Sequence, residues 1–543
     1  MRTLSKSMLL VLVVGCALGN LWAQMDLCPP RPLPGSAVQN PLDLYSQNGV
    51  LRVDLTLQNQ LFLDGFMHYC YVYMYQGQQI EAPTLRLNPG DQLILNLTDN
   101  LQAPFDQSSK HKMGHMNMGH AHETAGKHHV PGPDDPCNGG TILPSSTNMH
   151  FHGLNIPPVC HQDDVINTII QSGDPSFQYS FQVPANEPPG LYWYHPHAHG
   201  NTATQVGGGA SGALVVEGDN PLTHGLTERV LIARQQFKNA GSSQDPDAGA
   251  QLTLNFQPAV YPEGGPAPVI NVQAGKQEYW RFLNSSTNDF LTLQILFNAV
   301  PQEFEVLALD GVQLPTPVFE TTIVVPPAGR AEFITPAVPL GTSAIFINQG
   351  FDTGPVGDSN PPQRLANIVP MQNLQMQHGA PHPTKPPAQP QRFAGLKTQI
   401  PTATRKLYFS EQVVGTNPPL QFFITVDGKK PKVFSMDDPP AITTNVGALE
   451  DWTIENRSGE VHAFHIHQIH FLVMAINGVP VPNPDLQDTI QVPNWTGSGP
   501  YPSVTLRMDF RDPNIAGTFV YHCHILDHED GGMMAKIQVN PAQ

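Results

Sequence analysis

Eight of the histidines in the chain are arranged in four pairs of the form His-x-His. The residues that flank the pairs have the apolar and aromatic character of β-strands. In a strand, residues two apart share one face and lie roughly 6.6 Å apart, so both imidazoles of a pair can reach one polar site. Eight converging imidazoles would form a site for transition-metal ions, because neutral imidazole is a common metal ligand. The pairs are His150/His152, His195/His197, His465/His467 and His522/His524.

The residue between two histidines that share a strand face must point to the opposite face. Cys523 occupies that position in the last pair, so its thiolate is predicted to serve a different metal. Ligands for this second site are available in His528, Met533 and His462. Two imidazoles, one thiolate and a weak thioether form the ligand set of a blue-copper centre, whereas a structural zinc site would usually recruit more thiolates. The spacing predicts a copper centre joined to the histidine cluster by the backbone of residues 522–524.

Two repeated sequence patterns indicate the elements that hold these residues. Three segments share a short apolar strand, a glycine turn and a second, alternating strand, which is the pattern of a hairpin within a β-sandwich. They are APTLRLNPGDQLILNLTDNL from Ala82, APVINVQAGKQEYWRFLNSS from Ala267 and PAITTNVGALEDWTIENRSG from Pro440. The second repeated pattern occurs only in the first and third units, as GLYWYHPHAHG from Gly190 and GTFVYHCHILDH from Gly517. The histidine chemistry is therefore predicted for the outer two units, and the middle unit is predicted to be structural.

The composition predicts an all-β chain with several domains. A chain of 543 residues is too long for one core, since domains are typically about 100–200 residues long. Charged residues make up 13% of the chain, against 55 prolines and 46 glycines, which favours strands and turns over long amphipathic helices. We predict domains at 40–218, 225–370 and 401–543, with a proline- and glutamine-rich surface linker at 371–400. The net charge of −18 argues against a nucleic-acid partner.

Residues 1–24 resemble an export signal, with a basic start followed by an apolar run at 8–15. That run is too short to span a membrane and no later stretch is apolar enough, so no transmembrane segment is predicted. Two processing routes stay open: a lipid anchor at Cys16, or ordinary cleavage at Ala17-Leu18-Gly19 or near Ala23. Either route predicts a periplasmic or extracellular protein.

Four further cysteines lie in the first third of the chain, at Cys28, Cys70, Cys137 and Cys160. In an oxidising compartment such a set favours two disulfides over buried free thiols. Four cysteines permit three pairings, and the sequence does not choose among them.

The histidine motifs occur in the order HxHG, YHPH, HxxHxH and HCHxxxHxxxxM. This set resembles the four copper-binding motifs of multicopper oxidases, and HCHILDHEDGGMM is most similar to bacterial laccase-type and copper-efflux oxidases. The resemblance covers nearly the whole chain after the export signal. It implies three cupredoxin-like Greek-key β-sandwich domains, with a trinuclear copper cluster between the first and the third. Four copper ions are implied as cofactors: one type 1, one type 2 and a type 3 pair.

Carried over to this chain, the motifs imply a ligand set for each copper. Type 1 copper would be held by His462, Cys523, His528 and Met533. Type 2 copper would be held by His150 and His465. The type 3 pair would take the remaining six histidines, which are His152, His195, His197, His467, His522 and His524. Two other histidines, His199 and His470, fall outside the motifs and are predicted to support the ligands or the fold.

The resemblance also implies the reaction. A small reductant, such as a phenol, an aromatic amine or a metal ion, would be oxidised in one-electron steps at the type 1 centre. Electrons would pass from Cys523 through His522 and His524 to the cluster, where O2 is reduced to water. No macromolecular partner is implied, and the oligomeric state stays open, with a monomer among the possibilities.

Three carboxylates are candidates for feeding protons to the cluster: Glu529, Asp163 and Asp164. An ordinary structural role explains each of them equally well. The axial Met533 should lower the potential of the type 1 centre relative to a noncoordinating side chain, which favours easily oxidised substrates.

Residues 111–129, HKMGHMNMGHAHETAGKHH, hold six histidines and three methionines. Thioethers suit Cu(I) and imidazoles suit either copper state, so one interpretation is that this insert gathers copper. The alternative interpretation is a disordered polar loop. Copper-efflux oxidases carry methionine-rich inserts in the third domain, whereas this insert lies in the first. Two alternatives to a laccase-like enzyme follow: a cuprous oxidase or copper-binding protein for copper tolerance, and a scaffold that has lost its chemistry. Retention of Cys523 and all ten motif histidines argues against the scaffold.

Overall fold

The computed structural model describes residues 27–62, 65–102, 136–237, 250–261, 264–374, 392–414 and 420–542. The predicted export signal with Cys16, the His/Met insert at 111–129 and residues 375–391 of the predicted linker lie outside these ranges. Within them the chain is almost entirely β, which confirms the predicted fold class.

The first β-sandwich pairs a sheet of order β1-β5-β10-β9-β7 with a sheet of order β4-β3-β2-β6-β8. A short helix, α1 (Thr202–Gly207), and a 3₁₀ turn at Pro136–Asn138 lie outside the sheets. The strands are β1 (Asp43–Tyr45), β2 (Val50–Leu61), β3 (Met67–Tyr75), β4 (Gln78–Glu81), β5 (Thr84–Leu87), β6 (Gln92–Asp99), β7 (His150–His152), β8 (Phe177–Gln182), β9 (Gly190–His195) and β10 (Gly212–Val216).

The middle sandwich pairs a sheet of order β13-β12-β11-β15-β21-β18-β19 with a sheet of order β14-β25-β22-β16-β17, in which β20 pairs with β16. A 3₁₀ turn at Pro221–Thr223 precedes this sandwich. The strands are β11 (Thr227–Phe237), β12 (Ala250–Leu254), β13 (Gln257–Pro258), β14 (Val269–Gln273), β15 (Glu278–Asn284), β16 (Leu291–Phe297), β17 (Val300–Gln302), β18 (Phe304–Leu309), β19 (Val312–Glu320), β20 (Ile323–Val325), β21 (Arg330–Ile334), β22 (Ala344–Asn348), β23 (Phe351–Asp352), β24 (Ser359–Asn360) and β25 (Gln363–Met371).

The third sandwich pairs a sheet of order β27-β26-β29-β35-β31-β32, with β33 added, with a sheet of order β28-β37-β36-β30-β34. It also contains a short helix, α2 (Leu526–Asp530), and a 3₁₀ turn at Pro513–Ile515. The strands are β26 (Ala403–Val413), β27 (Leu420–Val426), β28 (Ile442–Asn445), β29 (Ala448–Asn456), β30 (His462–Ile466), β31 (Phe471–Ile476), β32 (Val479–Pro480), β33 (Leu486–Gln487), β34 (Thr489–Val492), β35 (Ser503–Phe510), β36 (Gly517–Cys523) and β37 (Met534–Asn540).

The repeated segments do not form hairpins, so that prediction was wrong. In the first unit β5 pairs with β1 and β10, whereas β6 pairs with β2 and β8 in the opposite sheet. The strands of the other two repeats divide in the same way. The reason is the core: Leu85 on β5 and Leu95 on β6 are both fully buried in one apolar cluster, so the strands face each other across it.

The first and third sandwiches meet near the two short helices. Asp530 of α2 accepts hydrogen bonds from the backbone N–H groups of Gly200 (2.6 Å) and Ala203 (2.8 Å) at the start of α1. Leu526 packs with Ala203 and Val206 beside this contact. The two histidine-bearing edges are thereby held against each other.

Two disulfides link Cys28 to Cys70 and Cys137 to Cys160, which confirms the predicted disulfides and chooses among the three pairings. The one free cysteine among the described residues is the buried Cys523. Within the same ranges, no helix combines the length and the hydropathy that a membrane span requires.

Candidate metal centre

The histidine cluster is built from one pair of neighbouring strands in each outer sandwich. In the first, β7 and β9 place His150 opposite His195. In the third, β30 and β36 place His465 opposite His522. Within β7 the alternation of side chains directs both histidines of the pair to one side, whereas in the other three pairs the strand carries the first histidine and the second lies just beyond its end. His152, His197, His467 and His524 complete the cluster from positions two residues further along the chain.

Histidines from the two sandwiches are in direct contact. The His150 and His467 rings stack with centroids 3.8 Å apart, and the His152 and His465 rings stack at 4.0 Å. The Nε2 atom of His522 lies 3.3 Å from Nε2 of His197 and 3.2 Å from Nε2 of His467. All eight cluster histidines are buried, so the site is shared between the first and third sandwiches.

Hydrogen bonds fix the outer nitrogens of three cluster histidines. The Nδ1 atoms of His195, His465 and His522 lie 2.8, 2.8 and 2.9 Å from the backbone carbonyls of Pro196, Asp488 and Cys523, to which they donate. The Nε2 atoms of His195 and His465 are buried and have no hydrogen-bond partner among the described residues. This is the arrangement that metal-binding histidines adopt, with one nitrogen held from outside and a lone pair facing inward.

His150 and His152 present different nitrogens to the cluster. Both carboxylate oxygens of Asp163 lie 3.0 Å from Nδ1 of His150, which leaves Nε2 without a partner in the described part of the chain. His152 has the opposite orientation, because its Nε2 lies 3.1 Å from Oδ1 of Asp488 and its buried Nδ1 has no partner there. A buried imidazole nitrogen that accepts no hydrogen bond has a free lone pair, and a metal ion that accepts this lone pair would satisfy it.

Burial lowers the pKa of the cluster histidines. The pKa of His195 falls to about 3 and that of His522 to about 4, chiefly because burial disfavours the charged ring. The pKa of His150 also lies well below its usual value, because of burial and then the neighbouring imidazoles. At neutral pH these rings are neutral, which is the form that binds metal.

A second group of donors lies on the other face of β36. The Sγ atom of Cys523 is 3.6 Å from Nδ1 of His462 and 3.9 Å from Nδ1 of His528, and these two nitrogens are 3.2 Å apart. Met533 is fully buried in the same apolar cluster as Cys523, and its carbonyl accepts a hydrogen bond from the Cys523 N–H group (3.0 Å). Burial raises the pKa of the Cys523 thiol, so a cation is required to hold the thiolate there.

The outer nitrogens of His462 and His528 face polar residues that the sequence did not reveal. Nε2 of His462 lies 2.8 Å from the Ser458 hydroxyl and 3.2 Å from a carboxylate oxygen of Glu411. Nε2 of His528 lies 3.5 Å from a carboxylate oxygen of Glu460. Glu411 lies on β26, far from the motif in sequence, and no local pattern marks it.

The three candidate acids lie in different surroundings. Asp163 is buried against His150 and accepts a hydrogen bond from the Phe151 N–H group (2.9 Å). The carboxylate of Asp164 accepts hydrogen bonds from the Asn167 backbone and side chain (3.0 and 3.1 Å). Glu529 is fully buried on α2, and burial raises its pKa to about 8. Asp163 therefore contacts a cluster histidine, Glu529 is a buried acid on α2, and Asp164 is engaged in a local turn.

The two histidines outside the motifs have distinct neighbours. Nδ1 of His199 lies 3.7 Å from a carboxylate oxygen of Glu529. His470 is buried, and its Nε2 donates a hydrogen bond to the Asp310 carbonyl (2.8 Å) in the middle sandwich. The supporting role of these two histidines stays a prediction.

Comparisons with known proteins identify sequence relatives of the chain. Two multicopper oxidase family models match the chain, at residues 409–543 and 141–221. The multicopper oxidase mco of Staphylococcus aureus is 25% identical over 414 residues, which cover 73% of this chain and 77% of that protein. A laccase of Haloferax volcanii is 24% identical over 435 residues, covering 75% of this chain and 69% of the laccase.

Solved structures share the fold. A multicopper oxidase from Campylobacter jejuni, described as a metallo-oxidase, has a TM-score of 0.66 at 21% identity and covers 94% of this chain and 96% of its own. McoA from Aquifex aeolicus has a TM-score of 0.66 at 20% identity, with 94% and 100% covered.

The segments 141–221 and 409–543, which carry all four histidine motifs, therefore match the multicopper oxidase family, and the chain shares the fold of solved multicopper oxidases. It is an oxidoreductase, and the family binds four copper ions, with which the histidine groups are compatible. The predicted family, enzyme class and copper cofactors are confirmed.

Proposed function

We propose that the chain takes electrons from a small reductant at a type 1 copper centre and reduces O2 to water at a trinuclear copper centre. Copper, when bound, supplies the one-electron transfers and the four-electron reduction of O2. The proposal is carried by one observation: Cys523 faces His462 and His528, while its chain neighbours His522 and His524 belong to the histidine cluster.

The proposed ligands follow the motif positions and the orientation of the rings. His462, Cys523, His528 and Met533 would hold type 1 copper, with both histidines presenting Nδ1. His150 and His465 would hold type 2 copper through Nε2, the nitrogen that each leaves without a partner in the described chain. The type 3 pair would be held by His152, His195, His197, His467, His522 and His524.

The route for electrons is covalent. An electron that reaches the Cys523 thiolate has only the backbone of the adjacent residues to cross before it reaches the imidazole of His522 or His524. Nδ1 of His522 donates a hydrogen bond to the carbonyl of Cys523 itself (2.9 Å), which adds a second and shorter connection. The buried position of all three residues keeps water out of this route.

Protons are proposed to reach the cluster through Glu529 and Asp163. Glu529 holds a proton at neutral pH because burial raises its pKa to about 8, so it can act as an acid. Asp163 accepts from Nδ1 of His150 and thereby keeps that ring in the tautomer whose Nε2 carries a lone pair. Asp163 is thus proposed to orient a ligand as well as to accept protons.

The reductant is proposed to be a metal ion in preference to a neutral phenol. Glu411 and Glu460 place carboxylates beside the outer nitrogens of both type 1 histidines, which is where an electron would enter. Negative charge at this entry attracts cations, and carboxylate oxygens suit Fe(II) or Mn(II) better than Cu(I). A cuprous oxidase would instead depend on the His/Met insert at 111–129, which lies outside the described residues.

Oxygen consumption by the copper-loaded protein tests these proposals, with Fe(II), Cu(I) and a dimethoxyphenol as reductants. We expect Glu411→Gln combined with Glu460→Gln to raise KM for Fe(II) and to leave phenol oxidation nearly unchanged. Glu320→Gln, at an exposed position on β19, is the matched control. Loss of Cu(I) oxidation alone after deletion of 111–129 would favour the cuprous oxidase, and no oxygen uptake with any reductant would refute the proposed function.

Export to the periplasm or the extracellular space is also proposed. The two disulfides support it, because disulfides persist mainly in oxidising compartments. Amino-terminal sequencing and mass spectrometry of the processed protein would distinguish a lipid-modified Cys16 from a start near residue 24.

A further inference from the structure

We infer that the middle sandwich takes part in copper binding, because its Arg330 acts as a positioning residue for the histidine cluster through Asp488 of the third sandwich. The inference rests on the proposed copper cluster and adds a role for the one unit in which the sequence shows no metal ligands.

The guanidinium of Arg330 forms a bidentate ion pair with Asp488. Its Nη1 lies 2.8 Å from Oδ1 and its Nη2 lies 2.5 Å from Oδ2 of the carboxylate. Both side chains are completely buried. A planar fork of this kind fixes the orientation of a carboxylate as well as its charge, which a single ammonium group does not.

The remaining donors of Arg330 tie it to its surroundings. Nε donates to the carbonyl of Leu191 (3.2 Å) on β9 of the first sandwich. Nη1 donates to the Ala328 carbonyl (3.1 Å), and Nη2 donates to the Asp310 carbonyl (2.9 Å). Arg330 therefore connects all three sandwiches at one point.

Asp488 passes this orientation to two cluster histidines. Its Oδ1, the oxygen paired with Nη1 of Arg330, lies 3.1 Å from Nε2 of His152. Its backbone carbonyl accepts the Nδ1–H of His465 (2.8 Å). One residue thus sets which nitrogen His152 and His465 present to the cluster, and these rings come from different sandwiches.

Asp310 fixes the backbone of Asp488 from the same side. Its Oδ2 accepts hydrogen bonds from the N–H groups of Asp488 (3.1 Å) and Thr489 (3.2 Å), while its Oδ1 accepts one from the N–H of Arg330 (2.9 Å). The middle sandwich therefore holds both the side chain and the main chain of Asp488.

The glycine after His152 leaves room for this pair. A Cβ atom at Gly153 would lie 2.7 Å from Nη2 of Arg330 and 2.8 Å from Oδ2 of Asp488. The HxHG motif thus reserves space for a side chain of another domain at the point where that side chain supports the cluster.

The test compares Arg330→Leu and Arg330→Lys with the unmodified copper-loaded protein. Copper content, the type 1 visible absorption, the type 2 EPR signal and the type 3 near-ultraviolet absorption are measured on each, together with the melting temperature. We expect Arg330→Leu to keep type 1 absorption while copper affinity at the cluster falls at least about 10-fold, as for other residues that orient metal ligands. Arg330→Lys should give cluster signals between those of Arg330→Leu and those of the unmodified protein, because lysine keeps the positive charge but cannot form the bidentate pair with Asp488.

Arg86→Lys is the matched control. Arg86 is also buried between sandwiches, where it pairs with Glu217 of the first (2.9 Å) and Glu228 of the middle one (2.8 Å), and it contacts no cluster residue in the described chain. We expect this variant to melt at a lower temperature with unchanged type 2 and type 3 signals.

Signals in both Arg330 variants that match those of Arg86→Lys would overturn the inference and leave Arg330 with a structural role only. If Arg330→Leu does not fold, Arg330→Lys decides alone: altered type 2 EPR parameters support the inference, and parameters identical to the unmodified protein overturn it. Failure of the proposed function is distinguishable, since the unmodified protein would then lack the four-copper signature itself.

Discussion

The Sγ atom of Cys523 lies 3.6 Å from Nδ1 of His462, on the face of β36 opposite to the rings of its two chain neighbours. The strand β36 therefore contributes to two groups of donors, which lie on its opposite faces. This relationship makes the two proposed centres separable by mutation, because the side chain at position 523 can change without moving His522 or His524.

Cys523→Ser should remove type 1 copper and spare the trinuclear cluster. A serine hydroxyl is a poor ligand for a soft copper site, so we expect loss of the visible type 1 absorption and of nearly all oxidase activity. The cluster ligands are untouched, and the type 2 EPR signal should remain. Copper analysis, absorption and EPR on the same sample check this. Loss of all copper from the variant would contradict the separation of the two centres.

The histidine pairs could be predicted because strands have a period of two, so that a sequence spacing translates directly into a shared face. The same rule predicts that Cys523 points away from its neighbours. The sandwich architecture followed from the repeats, although the strands of each repeat pair with opposite sheets and not with each other.

The supports of the cluster could not be predicted. Arg330 and Asp488 are 158 residues apart, and their contact depends on how three sandwiches pack. Glu411 reaches His462 only because β26 and β30 lie in the same sandwich. Contacts of this kind leave no local periodicity in one sequence, and the pairing of the four cysteines was open for the same reason.

Gly153→Ala should destabilise the protein more than Gly90→Ala. Both glycines have φ near +90° (+89° and +87°), so each alanine should cost about 1–2 kcal/mol from backbone strain. A Cβ at Gly90 meets nothing within 4 Å, whereas one at Gly153 overlaps Arg330 and Asp488. Crowding should add about 1–3 kcal/mol at Gly153 only. Denaturant unfolding of the two variants measures the difference in the free energy of unfolding. Equal losses of this free energy would show that Arg330 and Asp488 can move away from the added Cβ atom.

Glu529→Gln should slow O2 reduction without slowing electron entry. The amide occupies the same buried volume and cannot give up a proton, so turnover should fall by about 10²-fold or more. Anaerobic reduction of type 1 copper by the substrate should keep its rate. Stopped-flow measurement of both steps checks this, with Glu320→Gln as the control. A change confined to the anaerobic reduction of type 1 copper by the substrate would argue that Glu529 serves substrate binding and not proton supply.

Asp99→Asn should change how stability depends on pH. Asp99 is buried at the end of β6, and burial raises the pKa of its carboxyl from 3.8 to about 7. The folded chain therefore binds this proton more tightly than the unfolded chain. The stabilisation that this proton contributes is fully present below about pH 4 and is lost as the pH rises through about 7.

Asparagine is neutral throughout this range, so the free energy of unfolding of Asp99→Asn relative to the unmodified protein should rise between pH 4 and pH 8. One pKa unit corresponds to about 1.4 kcal/mol, and we expect a relative gain of about 1–3 kcal/mol. Urea unfolding of both proteins at matched copper loading measures it, because effects of pH on the buried histidines cancel in the difference. A difference that stays constant with pH would mean that Asp99 ionises in the folded protein as readily as in the unfolded chain.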